Sequence, residues 1–167
     1  MSAPGCVFCG VVAELWRAER CPGPGAPGQV YRKIADLPTS VAVLGPDQFH
    51  RGYSLVIAKR HATELFELPE AESMQYYRDM LVVARAVAAA FRPRKLNYEL
   101  LGNLVPHLHW HVLPRYADDP NPQHPVWQHP HPPRIPTDAE CDETIAAIRR
   151  HLGPTSDPID RGRGSGV

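Results

Sequence analysis

The hydrophobic and polar positions of this chain repeat with two periods, one helical and one extended. "VFCGVVAELWRA" (Val7–Ala18) reads as a short N-terminal helix. "QVYRKIA" (Gln29–Ala35) and "SVAVLG" (Ser40–Gly45) read as strands, the second after a turn containing Pro38. "YSLVIA" (Tyr53–Ala58) reads as a buried strand. "PEAESMQYYRDMLVVARAVAAAF" (Pro69–Phe91) opens with proline and acidic residues, which favour a helix N-terminus, and it stops before Pro93. "KLNYELLG" (Lys95–Gly102) and "HLHWHVLP" (His107–Pro114) are two further strands. "DAECDETIAAIRRHL" (Asp138–Leu152) is a last amphipathic helix, with Asp138 expected as its N-cap. This order predicts an α+β fold, an antiparallel sheet of about five strands crossed by one long helix.

Proline clusters punctuate that order. "CPGPGAPG" (Cys21–Gly28) is expected to be a loop. Residues 117–137 form a long Pro-rich segment, and loops of that length are commonly functional or wrapped over a surface. The chain is expected to be a single domain over residues 1–152, closed by a helix at 138–152 and followed by a mobile tail at 153–167 with almost no apolar content.

Composition narrows the function classes. With 18 basic and 18 acidic side chains the formal charge is zero, so no long-range field would draw in nucleic acid or an anionic membrane. The longest apolar run, Leu81–Phe91, is too short for a bilayer span and contains Arg85. No basic region followed by an apolar stretch opens the chain, so a cytoplasmic location is expected. In a reducing compartment, the Cys6 and Cys9 spacing in "CVFC" points to metal or redox use rather than to disulfides. Cys21 and Cys141 are expected to be ordinary free thiols.

The densest chemistry lies in "PHLHWHVLPRY" (Pro106–Tyr116), where His107, His109 and His111 stand at every second position. On a strand these imidazoles share one face, and Leu108, Trp110 and Val112 pack the other. A metal, a phosphate and a merely wet face are the three readings to separate. Successive same-face residues are about 6.6 Å apart, too far for three ligands of one zinc at about 2 Å each. A row of phosphate oxygens fits that spacing better. Neutral imidazole is a nucleophile and its protonated form a double donor, so one ring can attack phosphorus while a neighbour stabilises charge.

"HLHWHVLPR" closely resembles the signature of the histidine triad (HIT) superfamily of nucleotide hydrolases and transferases. "RGYSLVIAKRHATEL" (Arg51–Leu65) resembles the family's strand-and-turn segment, and "CVFC" resembles its zinc-binding members. The resemblance runs from about Cys6 to Tyr116. It implies a small α+β domain that pairs as a homodimer and acts on a small-molecule nucleotide. It also implies that His109 attacks an α-phosphorus to give a nucleotidyl-histidine, that His111 binds phosphate oxygens and assists the leaving group, and that His107 supports the nucleophile. Strand carbonyls can fix the tautomer of His109. The zinc-binding branch implies a structural zinc held by Cys6, Cys9, His61 and His107, with His50 as an alternative third ligand. Dinucleoside polyphosphates such as diadenosine tetraphosphate are the implied substrates. A phosphorolytic transferase, a phosphoramidase and a non-catalytic nucleotide- or zinc-binding protein are the alternatives.

The chain departs from the family pattern in several places. The usual Gln before the triad is absent, and Asn103 is the candidate phosphate contact, or else a turn residue after Gly102. The family His before "xLVIP" is Tyr53 here, which is expected to take its packing place. The acidic residue that holds ribose hydroxyls falls on Gly45, leaving Asp47 or Gln48 as candidates, against a plain turn. Val41–Leu44 either flank the base or belong to the core. Arg115 is a candidate for phosphate or for a carboxylate pair. Trp127 either covers the site, crosses to the partner subunit or anchors its loop. His124, His129, His131 and His151 are expected to be ordinary surface residues.

Overall fold

The computed structural model describes residues 3–23 and 29–153. Helix α1 (Val7–Leu15) is followed by strands β1 (Arg20–Pro22), β2 (Val30–Asp36), β3 (Ser40–Leu44) and β4 (Ser54–Ala58). Helix α2 (Glu70–Phe91), strands β5 (Lys95–Glu99) and β6 (His109–Arg115) and helix α3 (Asp138–Arg149) complete the chain. The strands form one antiparallel sheet in the order β1-β2-β3-β4-β6-β5. The fold is the expected α+β arrangement with one more strand than the hydrophobic pattern discloses.

That strand lies inside the expected loop. Arg20, Cys21 and Pro22 pair with Arg32, Tyr31 and Val30. Cys21 is buried beneath α1 and supplies the apolar anchor. Pro22 is tolerated because β1 is an edge strand, where a missing N–H costs no ladder bond. Residues 24–28 of the same stretch and 154–167 of the expected tail lie outside the described residues.

Each face of the sheet carries its own apolar layer. Ala42, Leu44, Val56, Leu108 and Val112 meet Tyr76, Met80, Val83 and Val87 of α2, joined by Ile145 and Ile148 of α3. Full burial of such side chains contributes about 1.5–3 kcal/mol each. On the other face Tyr31, Val41, Val43, Leu55 and Ile57 pack against Phe8, Val11, Val12 and Leu15 of α1. Val41–Leu44 are therefore core on both faces, and of their two readings the core one describes them.

Local signals set the helix limits. α2 starts after Pro69 with Glu70 and Glu72 in its first turn and ends at Arg92, left-handed at φ 48°, because Pro93 follows. α3 is capped by Thr137 rather than by Asp138. The Thr137 hydroxyl accepts from Glu140 N–H while the Glu140 carboxylate accepts from Thr137 N–H, so the capping box moves the start by one residue. Asp79, buried on α2, accepts from Thr39 N–H and from the hydroxyls of Thr39 and Ser40, tying the long helix to the β2–β3 turn. No described helix is long and apolar enough to cross a membrane.

Candidate active site and metal cluster

The histidine row lies on the α1 face of β6. The regular strand begins only at His109, because the chain enters through a bend in which His107 N–H donates to Val105 C=O at 2.8 Å and Leu108 N–H to Ala62 C=O at 2.8 Å. The bend swings His107 away from its neighbours and towards the N-terminus of α1. The three imidazoles thereby divide into one facing a cysteine pair and two facing each other.

His107 donates from Nε2 to Ala58 C=O at 2.8 Å, which leaves Nδ1 as a bare lone pair. That lone pair faces Cys6 Sγ at 3.4 Å, Cys9 Sγ at 3.7 Å and His61 Nδ1 at 3.3 Å, while Cys9 Sγ stands 3.5 Å from His61 Nδ1. Four donor atoms within 4.8 Å of one another make a Cys2His2 cluster able to coordinate a metal ion. Tetrahedral ligands about 2.0–2.3 Å from a central ion are separated by about 3.3–3.8 Å, and the four distances just given fall in that range. The local sequence explains the convergence. Cys6 is the N-cap of α1 and Cys9 lies in its first turn, three residues on, so both thiols share a face. His61 follows β4, and the described cluster contains it rather than His50.

His109 is also buried, with 7% of its surface exposed and its ring 4.7 Å edge-on from Phe8. Its Nδ1–H donates to the His107 carbonyl at 2.6 Å, so Nε2 carries the free lone pair. Burial lowers its pKa, partly opposed by that same carbonyl. His111 lies beside it, ring centres 4.9 Å apart. Burial and the neighbouring His109 push its pKa down to about 4, so the ring is neutral near pH 7. Its Nδ1 meets the Tyr53 hydroxyl at 2.6 Å, and the two rings are nearly parallel.

The remaining candidates take varied places. Trp127 folds back within its own chain. Its ring stands edge-on to His111 at 5.4 Å and its Nε1–H donates to the Glu99 carboxylate, so it walls one side of the row. Arg115 makes the carboxylate pair of its two readings. It donates to Asp119, to Asn97 Oδ1 at 2.6 Å and to the carbonyls of Asn121 and His124, fastening the Pro-rich segment to the sheet. A guanidinium so engaged has little left for phosphate. Asp47 accepts from Phe49 N–H and Arg134 N–H, the role of a turn residue. Gln48 is buried, donating to the carbonyls of Gly45 and Tyr53 and accepting from Gly52 N–H. Asn103 is exposed on a bend after Gly102, whose φ of 74° suits the turn. His50 is buried, its ring 5.1 Å from that of Phe49, and His131 stacks on the same Phe49 at 3.9 Å. His124 lends its carbonyl to Arg115, His129 is half-buried and His151 is exposed.

Comparison with known proteins places this geometry. The HIT domain matches residues 29–118. "Protein hit" of Bacillus subtilis is 31% identical over 120 residues, covering 69% of this chain and 74% of that protein. Adenosine 5'-monophosphoramidase hnt1 of Schizosaccharomyces pombe is 31% identical over 90 residues, covering 50% of this chain and 63% of that one. AP-4-A phosphorylase of Mycobacterium tuberculosis is 31% identical over 86 residues, covering 48% and 44%. Among solved structures, a histidine triad protein of Bradyrhizobium japonicum superposes with a TM-score of 0.66 at 32% identity, covering 74% of this chain and 91% of that one.

Proposed function

The chain belongs to the HIT domain family, and from that premise we propose that it cleaves dinucleoside polyphosphates or related adenylyl compounds at the α-phosphorus through a nucleotidyl-histidine. The observation that carries the reading is the tautomer of His109. Its Nδ1 hydrogen is committed to the His107 carbonyl, and a nucleophilic lone pair remains on Nε2. That lone pair forms a bond to the α-phosphorus as the bond to the leaving-group oxygen breaks and its electron pair departs with the leaving group. Water then attacks phosphorus, the electron pair of the nitrogen–phosphorus bond returns to Nε2, a proton passes to solvent, and the mononucleotide is released. His111 faces the same space and supplies a hydrogen bond to phosphoryl or leaving-group oxygen. Asn103 and Trp127 are proposed to border the substrate, Asn103 from its exposed bend and Trp127 from beside His111.

The Cys2His2 cluster is proposed to hold one structural zinc. The donor set, two thiols and two imidazole nitrogens at tetrahedral spacing, suits zinc and leaves no open position for catalysis. Its consequence for the reaction is mechanical. His107 both contributes a ligand atom and presents the carbonyl that orients His109, so the cluster and the nucleophile share one backbone segment.

A homodimer is proposed through the β5 edge. β5 is the last strand of the sheet, and Tyr98, Leu101 and Leu104 stand exposed on and just after it. An unpaired edge flanked by exposed apolar side chains is a surface that another chain covers.

Product analysis tests the catalytic reading. The protein is incubated with diadenosine tetraphosphate, ATP and an adenylyl phosphoramidate, with and without inorganic phosphate. AMP from diadenosine tetraphosphate without added phosphate is the expected result. ADP formed only when phosphate is present would assign phosphorolysis, and no turnover of any of the three would remove the enzymatic reading.

A further inference from the structure

Tyr53 is the residue that departs from the family pattern closest to the chemistry, and the surrounding chain is built to hold it. Its N–H donates to His50 C=O at 2.9 Å, and its carbonyl accepts from Gly45 N–H at 2.9 Å and from the Gln48 amide at 2.9 Å. The ring lies against Gly45 so closely that a Cβ there would stand 2.6 Å from the tyrosine Cδ1. Gly45 is therefore the space the phenol needs, and Gln48, a residue with the chemistry for ribose, is spent on mounting it. The hydroxyl at the end of this mount meets His111 Nδ1 at 2.6 Å.

The donor in that bond follows from counting hydrogens. Among the described residues the Tyr53 hydroxyl has one polar partner, His111 Nδ1. If Nδ1 carried a hydrogen, the phenol would accept it and its own hydrogen would be left in a partly buried place without a protein acceptor, which is unfavourable. If the phenol donates, its hydrogen is satisfied by Nδ1 and His111 carries its own hydrogen on Nε2, the nitrogen left for the substrate. Burial, with Tyr31, Glu99 and Asp47 nearby, holds the phenol's pKa well above the usual tyrosine range, so the hydroxyl keeps its proton.

We propose that Tyr53 is a positioning residue that locks His111 as a neutral Nε2–H donor and thereby suits the site to phosphoanhydrides rather than phosphoramidates. The inference rests on the nucleotidyl-transfer reading above. When an anhydride is cleaved, the nitrogen–phosphorus bond forms, the phosphorus–oxygen bond breaks, and the oxygen leaves with the electron pair as a polyphosphate anion. That oxygen needs a hydrogen bond and no proton, which a neutral Nε2–H provides. An amine leaving group takes the electron pair on nitrogen and requires a proton as well. A neutral His111 gives one only by becoming an imidazolate, or by drawing the phenol hydrogen onto Nδ1 and leaving a buried phenolate. An imidazolium would give it readily, but its Nδ1–H displaces the phenol hydrogen from its acceptor.

Nitrogen-15 NMR of the imidazoles at pH 7, on the intact protein, reads the tautomer directly and needs no variant. His111 is expected as the Nε2–H form with a hydrogen-bonded, unprotonated Nδ1. A Nδ1–H or doubly protonated ring in the wild type would overturn the proposal. In Tyr53→Phe the His111 signals should move towards a mixture of tautomers, and unchanged signals would count against the phenol as their cause. Turnover of diadenosine tetraphosphate and of an adenylyl phosphoramidate is then compared in the wild type and in Tyr53→Phe. The ratio of anhydride to phosphoramidate turnover is expected to fall roughly tenfold on losing this hydrogen bond. An equal loss on both substrates, the mark of a structural role alone, would sink the proposed preference. If the wild type turned over neither substrate, the nucleotidyl reading and the leaving-group preference would both fail, while the spectrum would still decide the tautomer.

Discussion

His109 and His111 differ by two positions on one strand, yet their environments give them different work. A backbone carbonyl fixes the first and a phenol meets the second. Burial of His111 has a consequence for stability that is separate from catalysis. Its folded pKa of about 4 lies below the value near 6.5 of an unfolded chain. Between those values the unfolded chain binds a proton that the folded one does not, so stability falls as pH drops from about 6.5 towards 4. Urea unfolding of the wild type and of His111→Gln from pH 7 to pH 4.5 should show the wild type losing up to roughly 3 kcal/mol more than the variant. Parallel curves would mean that His111 is not held neutral by the fold. At this scale the sequence was informative where spacing dictates geometry. The histidine row, the cysteine pair and the face they share follow from periods of two and of three to four. Arg115 and Gln48 were opaque, because a guanidinium or an amide is written the same way whether it meets a ligand or saturates a loop. Tyr53 was visible as a departure, but its bond to His111 depends on a contact 58 residues away.

The elements carry these side chains into register. α1 is short, yet its N-cap and first turn supply two of the four donors in the metal cluster and Phe8 against His109. With zinc as the occupant, metal analysis of freshly purified protein should give about one zinc per chain. Cys6→Ser should lose the metal and lower the thermal midpoint by several degrees, since it unfastens α1 from β4 and from the bend before β6. A metal-free wild type, or a Cys6→Ser variant with full metal and full stability, would remove this site. The helices and most strands were legible from their periodicity and their proline stops. β1 was hidden because three residues ending in proline carry no period, and only pairing with β2 makes them a strand. The one-residue shift of α3 arose because Thr137 and Glu140 satisfy each other, which Asp138 has no partner to do.

Across the whole molecule, the Pro-rich segment is an ordered wrap rather than a spacer. Arg115 fastens its start, Trp127 its middle and Asp47 its end, so one side of the histidine row is closed by residues from the same chain. The strand that carries the row, β6, lies one strand in from the exposed β5 edge. Light scattering should give a dimer mass. Leu104→Asp, at a residue 97% exposed, should weaken association by about tenfold or more without altering the fold of the subunit. A monomer in the wild type would contradict the proposed assembly. Nothing in the hydrophobic pattern reveals this surface, because an exposed Leu in a loop is common and only its position beside a free strand edge makes it notable.

The central claim is that His109 becomes covalently nucleotidylated, and intact-mass spectrometry of a rapid alkaline quench tests it most directly, since the nitrogen–phosphorus bond is acid-labile. Wild-type protein mixed with diadenosine tetraphosphate should show a transient gain of one adenylyl group, mapped to His109. His109→Asn should show no adduct and no turnover while still binding the nucleotide. Release of AMP by the wild type with no adduct at any quench time, together with turnover by His109→Asn, would contradict the account.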